Sequence, residues 1–195
     1  DGNEGNDISL ASQGTSISGD GRFVVFSSEA TNLVAGDTNG IRDFFVHDRQ
    51  TGETTRVSVA SNGNQGPVDS IIGVLMSNSA AISQDGRFVT FNFDVDNLVP
   101  DDTNEVTDVF VHDRQTKETT RVSVDNDGNE GNKSSLEPTI SADGRFVAFW
   151  SNATNLVAGD NNDVADAFVL DRNNAPDCDA GFADAGELWP AYHKF

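Results

Sequence analysis

Ile82-Ser83-Gln84-Asp85-Gly86-Arg87-Phe88-Val89-Thr90-Phe91 decides the fold. An Asp-Gly pair signals a tight hairpin, because Gly accepts positive φ, and the short apolar and β-branched runs on either side read as strands. Its centre, DGRFV, recurs at Asp20–Val24 and Asp143–Val147, at offsets of 85 − 20 = 65 and 143 − 85 = 58. A second block keeps the same offsets: DFFVHDRQTGETTRVSV from Asp43, DVFVHDRQTKETTRVSV from Asp108 and DAFVLDRNN from Asp166. Between the two blocks lie TNLVAGDTN from Thr31, DNLVPDDTN from Asp96 and TNLVAGDNN from Thr154. Gly/Asn linkers, SNGNQG from Ser61 and DGNEGN from Asp127, separate the units, and the chain begins with that same DGNEGN. Residues 1–61, 62–126 and 127–173 are therefore three copies of one unit, followed by a non-repeat tail at 174–195.

Each copy reads as four strands. The segments ending in Ile17-Ser18, Ile82-Ser83 and Ile140-Ser141 predict an inner strand, and the runs from Phe23, Phe88 and Phe146 predict the next. A third strand begins at Asp43, Asp108 and Asp166, and Thr54–Val59 and Thr119–Val124 predict a fourth. The third copy lacks this last strand, and the tail replaces it. No stretch sustains a helical period. The central runs are nearly continuous in apolar residues, which suits sheets covered on both faces, as in small four-stranded sheets stacked around an axis.

The pattern I-S-x-D-G-R-F-V-x-F, then D-x-F-V-x-D-R-x-T-G, then T-x-R-V-S resembles the TolB-type, WD-like β-propeller repeat of bacterial secreted and periplasmic proteins. The resemblance covers about 170 of the 195 residues. It implies an all-β propeller of four-stranded antiparallel blades, and a secreted, periplasmic or cell-surface location. Such propellers commonly carry more blades than three, so one chain is expected to leave the ring incomplete. Either two chains pair into a six-bladed ring, or the chain is a piece of a larger propeller.

Composition narrows the partners. The chain carries 32 acidic against 12 basic side chains, a formal charge of -20, and would repel nucleic acid. No apolar run is long enough for a membrane-spanning helix. Cys178 is the only cysteine, which excludes a disulfide scaffold. Asp1 begins the chain and Met76 is its sole methionine, the expectation being a processed, excised or fragmentary piece.

The candidate site is a recurring D-x-N-x-x-x-D loop: Asp37, Asn39 and Asp43; Asp102, Asn104 and Asp108; Asp160, Asn162 and Asp166. Alternating oxygen-bearing residues bend a loop so that oxygens converge, and calcium needs six to eight of them. The loops are thus expected to bind structural Ca2+. A second reading makes them turn residues that bond their own backbone. Arg22, Arg87 and Arg145, with Arg49, Arg114 and Arg172, read as ion pairs or inter-blade brackets, and as an anion-binding ring in a sharper alternative. Leu170 stands where His47 and His112 recur, which argues against catalysis or zinc there. The residues 62–79 carry an apolar insertion, expected as a partner contact, and Phe182, Leu188, Trp189, Tyr192 and Phe195 of the tail are expected to cap an open face. No catalytic constellation is visible. The reading is a non-enzymatic, calcium-stabilised secreted or surface module for protein or glycan binding or self-association. Its alternatives are part of a propeller glycosidase or lyase, and a structural unit of a homo-oligomeric ring or fibre.

Overall fold

The computed structural model describes residues 4–11, 16–66 and 79–173, and the backbone of 192–194. The insertion from Pro67 onward, Cys178, and Phe182, Leu188, Trp189 and Phe195 lie outside the described residues. Three antiparallel sheets of four strands follow one another. Blade 1 holds β1 (Ser9–Ala11), β2 (Phe23–Ser28), β3 (Asp43–Asp48) and β4 (Thr54–Arg56), in that spatial order. Blade 2 holds β5 (Ala80–Ile82), β6 (Phe88–Phe93), β7 (Asp108–Asp113) and β8 (Glu118–Arg121). Blade 3 holds β9 (Ser135–Ile140), β10 (Phe146–Ser151), β11 (Asp166–Asp171) and β12 (Tyr192–Lys194). This is an all-β propeller architecture of consecutive four-stranded blades. No described helix is long and apolar enough to cross a membrane.

The conserved spacing of the repeats becomes identical register. Phe23 pairs with Asp48, Phe88 with Asp113 and Phe146 with Asp171. The hairpin before each of these strands is stapled by its own side chains. In blade 1 the Ser18 hydroxyl bonds Asp20 at 2.6 Å and accepts from the Phe23 amide at 2.9 Å, and Asp20 accepts from the Arg22 amide at 2.9 Å. The expected fourth strand is shorter than the alternation implies. Its ladder stops at Arg56 because the Ser58 hydroxyl, rather than a carbonyl, takes the Phe44 amide at 3.0 Å. In blade 1 the inner strand is regular at Ser9–Ala11, and Ile17 pairs with Val24 as an isolated bridge. Blade 3 is not left short. The tail returns and β12 pairs with β11, so four strands are present there too.

Two cores lie between the blades rather than within them. Val25, Phe44, Val46 and Val57 of blade 1 pack with Ile82, Val89, Phe91 and Phe110 of blade 2. Ala81, Val109, Val111 and Val122 of blade 2 pack with Val147, Phe149, Leu156 and Phe168 of blade 3. Every residue of β7 is buried, as a sheet covered on both faces requires.

The turn after β7 stores strain. Lys117 has a φ of 68°, where blade 1 has Gly52 at 76°. A left-handed conformation costs an L-residue about 1–2 kcal/mol, and glycine almost nothing. Lys117→Gly is expected to stabilise the chain by up to about 1 kcal/mol after the entropy of the added glycine is counted. A thermal melt that is unchanged or lower in the variant would contradict this.

Candidate functional site

The aspartate loops run from β2 to β3, from β6 to β7 and from β10 to β11, all at one end of the blades. Asp43 begins β3 and is fully buried. It accepts from the Ser58 hydroxyl at 2.6 Å, from the Asn39 amide at 3.0 Å and from Arg56 Nη1 at 3.2 Å. Arg56 Nη1 lies 3.2 Å from Asp37 as well. The asparagine therefore turns its NH2 toward the carboxylate, and its oxygen faces the Ile41 amide at 3.3 Å. The loop is a polar knot with a guanidinium at its centre.

Blade 2 repeats the knot and enlarges it. Asp108 accepts from Ser123, and Asn104 bonds Asp108 at 3.0 Å while accepting from the Val106 amide at 3.1 Å. Arg121 Nη1 lies 3.0 Å from Asp102, 3.4 Å from Asp108 and 3.0 Å from Glu130. Glu130 reaches in from the linker to blade 3 and holds the Thr103 amide at 3.0 Å. Three carboxylates thus face one guanidinium. Burial pushes Asp102 up to about 6, helped by the negative charge of Asp108 and opposed by Arg121. Asp43 and Asp108 are raised by burial, which outweighs their serine hydrogen bonds. Burial likewise raises Asp37 against the pull of Arg56.

In blade 3 the loop turns the same way. Asn162 donates to Asp166 at 3.1 Å and accepts from the Val164 amide at 3.2 Å. Asp160 is buried, and Asp163 pairs with Lys133 at 3.2 Å. There is no T-x-R-V-S arginine in this copy, but Lys194 pairs with Phe168 on β12, the register that Arg56 keeps with Phe45 and Arg121 with Phe110.

The structure ties Asp37 and Asp43 around Arg56, and Asp102 and Asp108 around Arg121, with Asn39 and Asn104 bonded to the second aspartate of each loop, while in blade 3 Asn162 bonds Asp166 and Asp160 is buried in the same loop. Their donors do not fit a calcium site in blades 1 and 2. The point where carboxylate oxygens converge holds an arginine nitrogen, and each Asn oxygen is turned to a backbone amide. Among the described residues, no three His, Cys, Asp or Glu side chains form a group suited to a metal. The sequence reading missed Arg56, Arg121, Ser58, Ser123 and Glu130 as parts of the knot. Their signal was present, since T-x-R-V-S accompanies the loop in the first two copies.

The opposite end holds Arg22, Arg87 and Arg145, with Arg49, Arg114 and Arg172. Arg22 grips Asp48 through two bonds of 2.9 and 2.6 Å, and Arg87–Asp113 and Arg145–Asp171 repeat this. The Arg22 hydrogen bonds hold the Asp48 carboxyl far below the usual carboxylate range. For Asp113, burial acts upward, but Arg87 and the amides of Gln115 and Thr116 prevail and bring it to about 2. The second set brackets neighbouring blades. Arg114 of blade 2 lies 4.3 Å over the Phe23 ring of blade 1, and Arg172 of blade 3 lies 4.2 Å over Phe88 of blade 2. His112 is buried against Thr119 at 2.8 Å, and burial lowers it to about 4, so it is neutral at pH 7. A cleft of about 130 Å³ where blades 1 and 2 meet is lined by Arg56, His112, Arg114 and Lys117, among others. It is smaller than the several hundred Å³ usual for small-molecule sites.

Among solved structures, the chain is similar to the tricorn protease, at 14% identity and a TM-score of 0.52 over 98% of this chain and 17% of that one. It is also similar to a TolB from Agrobacterium tumefaciens, at 14% identity and a TM-score of 0.47 over 80% of this chain and 44% of that one. A third is the oligogalacturonate lyase of Vibrio parahaemolyticus, at 13% identity and a TM-score of 0.49 over 89% of this chain and 40% of that one. The chain therefore spans less than half the length of each. At such identities the likeness to the tricorn protease shows the propeller fold alone. No family model matches the sequence, and no curated protein is similar to it.

The raised Asp102 carboxyl gives stability a defined slope. Its folded pKa of about 6 exceeds the ordinary 3.8, so the folded state binds the extra proton between those values. Asp102 thus favours folding more as pH falls from about 7 toward 4. His112 slopes the opposite way, because its lowered pKa makes folding less favourable below 6.5. The Asp102→Asn melting temperature minus that of the native chain is expected to be highest near pH 7 and to decline toward pH 4. A difference that stays flat would show that Asp102 titrates normally.

Proposed function

We propose that the chain is a non-enzymatic β-propeller module of the secreted or cell-surface compartment, acting by binding a protein or glycan partner. The observation that carries this is the employment of its candidate chemical groups in the fold. Asp43, Asp108, Asn39, Asn104 and the Arg22, Arg87 and Arg145 latches each make the same bonds at equivalent places. A catalytic centre breaks such symmetry, because one substrate needs one convergent set of groups, whereas a scaffold keeps it. The charge of -20, built from Asp rather than Glu and almost without lysine, suits a saline exterior.

A propeller lyase or glycosidase is the alternative, and Asp102 favours it. A carboxyl raised to about 6 is of the kind that acid–base catalysis uses. However, the Asp102 side chain is only 3% exposed and lies under Arg121, out of reach of a sugar. In this reading arginine does in the first two loops what calcium does in other loops: it neutralises the carboxylates and ties the loop ends together.

Two measurements test the proposal. Incubation with polygalacturonate and with aryl glycosides is expected to give no unsaturated or released product, while glycan-array or purified-partner titration gives saturable binding. Turnover that Asp102→Asn abolishes would establish the enzyme instead. Thermal unfolding is expected to be the same in EDTA and in millimolar calcium. A calcium-dependent rise would show that the loops take the metal.

A further inference from the structure

We infer that the outer faces of blades 1 and 3 are the two halves of one inter-blade interface, and that a second copy of this 195-residue chain docks on them to close a six-bladed, two-fold ring. This goes beyond the binding reading and holds whatever the ligand is. The argument is the continuity of a contact that the chain already makes twice.

That contact has three parts. The first is a backbone bond near the hairpins: Gly19 N–H donates to the Gln84 carbonyl, and Gln84 N–H donates to the Ala142 carbonyl, each at 2.9 Å. The second is an aromatic seat. Phe23 rests on Gly86 and Phe88 rests on Gly144 so closely that a Cβ on either glycine would stand 2.2 Å from the ring. The third is the arginine of the following blade, Arg114 over Phe23 and Arg172 over Phe88.

Among the described residues, each part is present on these outer faces as an unmatched half. On blade 3, Phe146 carries its own Arg145 but is 38% exposed, and among the described residues no arginine of a following blade covers it. Ala142 N–H meets no backbone acceptor among them. On blade 1, Gly21 has φ +72° like Gly86, yet a Cβ there would meet nothing nearer than 3.7 Å, and that atom belongs to Arg49. Arg49 donates to the Gly21 carbonyl at 2.7 Å, as Arg114 does to Gly86 at 2.6 Å, so it is already set in the bracket position. Phe146 of one copy and the Gly21–Arg49 seat of another are thus the two missing partners.

The sheet faces agree. β3 and β7 are buried almost throughout, whereas β11 is buried only at alternate residues, with Ala167 exposed and Val169 half-buried. Their equivalents Phe44, Val46, Val109 and Val111 are all buried against the next blade. At the other end Ile17 is 45% exposed, where Ile82 and Ile140 are covered by the preceding blade. Apolar outer faces on blades 1 and 3, with matching polar devices, call for a blade of the same kind, which a second copy supplies.

Sedimentation or native mass spectrometry of the full chain tests this. The expected mass is twice 20.8 kDa, with no ladder above it. Phe146→Ala and Gly21→Ala are expected to leave the far-UV spectrum of the fold intact and to convert the dimer to a monomer. Gly21→Ala strains the left-handed turn within one copy, which lowers the melt of the monomer, but its methyl collides with Phe146 only across the new interface, so loss of the dimer in a still-folded chain is the diagnostic result. A 20.8 kDa species throughout about 1–100 μM would overturn the inference. So would a dimer indifferent to both substitutions, or an open series of larger assemblies.

Discussion

Each blade has two apolar faces and can hide neither by itself, and everything else in the molecule follows from that constraint. A lone four-stranded sheet can fold one face onto nothing but water. Here the cores lie between sheets, so β7 is buried because blades 1 and 3 both exist. Stability then becomes a nearest-neighbour property, as in other repeat architectures. Gly86 and Gly144 are where this bites hardest: the phenylalanine of the preceding blade occupies the volume that any side chain would need.

The polar groups at the two ends solve different problems. At the loop end, buried carboxylates need counter-charge, and Arg56 and Arg121 supply it from the outer strand of the same blade. That ties a long loop to its own sheet. Blade 2 has one carboxylate more than blade 1, and Glu130 adds a smaller push to the burial and the Asp108 charge that raise Asp102. At the hairpin end Arg22, Arg87 and Arg145 are themselves 37%, 40% and 42% exposed, so an ion pair alone adds little. Their weight comes from the ring beneath them. Arg87 and Arg172 cover the same Phe88 from two blades, so charge, stacking and shape act on one side chain.

Much of the fold was legible because the copies could be laid against one another. Asp-Gly placed the hairpins, and the offsets of 65 and 58 placed the later strands that the copies share. The fourth strand of blade 3 was not legible, since Tyr192–Lys194 shares no motif with Thr54–Arg56 and reaches β11 from the far side of the tail. The nine loop residues lie between the second and third strands of each blade or begin the third, but their chemistry was open. D-x-N-x-x-x-D states which residues share a loop, not which atom of Asn39 points inward. That depends on Arg56, thirteen residues beyond Asp43 in sequence and brought to it by the β3–β4 pairing.

Symmetry also locates where specificity can reside. Residues that repeat in all three blades hold the fold, and where two blades meet they are already committed to a neighbour. A ligand that distinguishes one part of the surface from another must therefore read positions where the copies differ. Trp150 stands on β10 where Ser27 and Asn92 stand on β2 and β6, and it is half-buried rather than covered. Glu130 stands in its linker where Gln65 stands in the one before. Gln65 bonds Thr38 without charge at 2.7 Å, while Glu130 draws Arg121 into a three-carboxylate knot. The repeats build a frame of equivalent seats. The substitutions among them give each blade a different surface, and the proposed binding role needs that difference more than it needs a cavity.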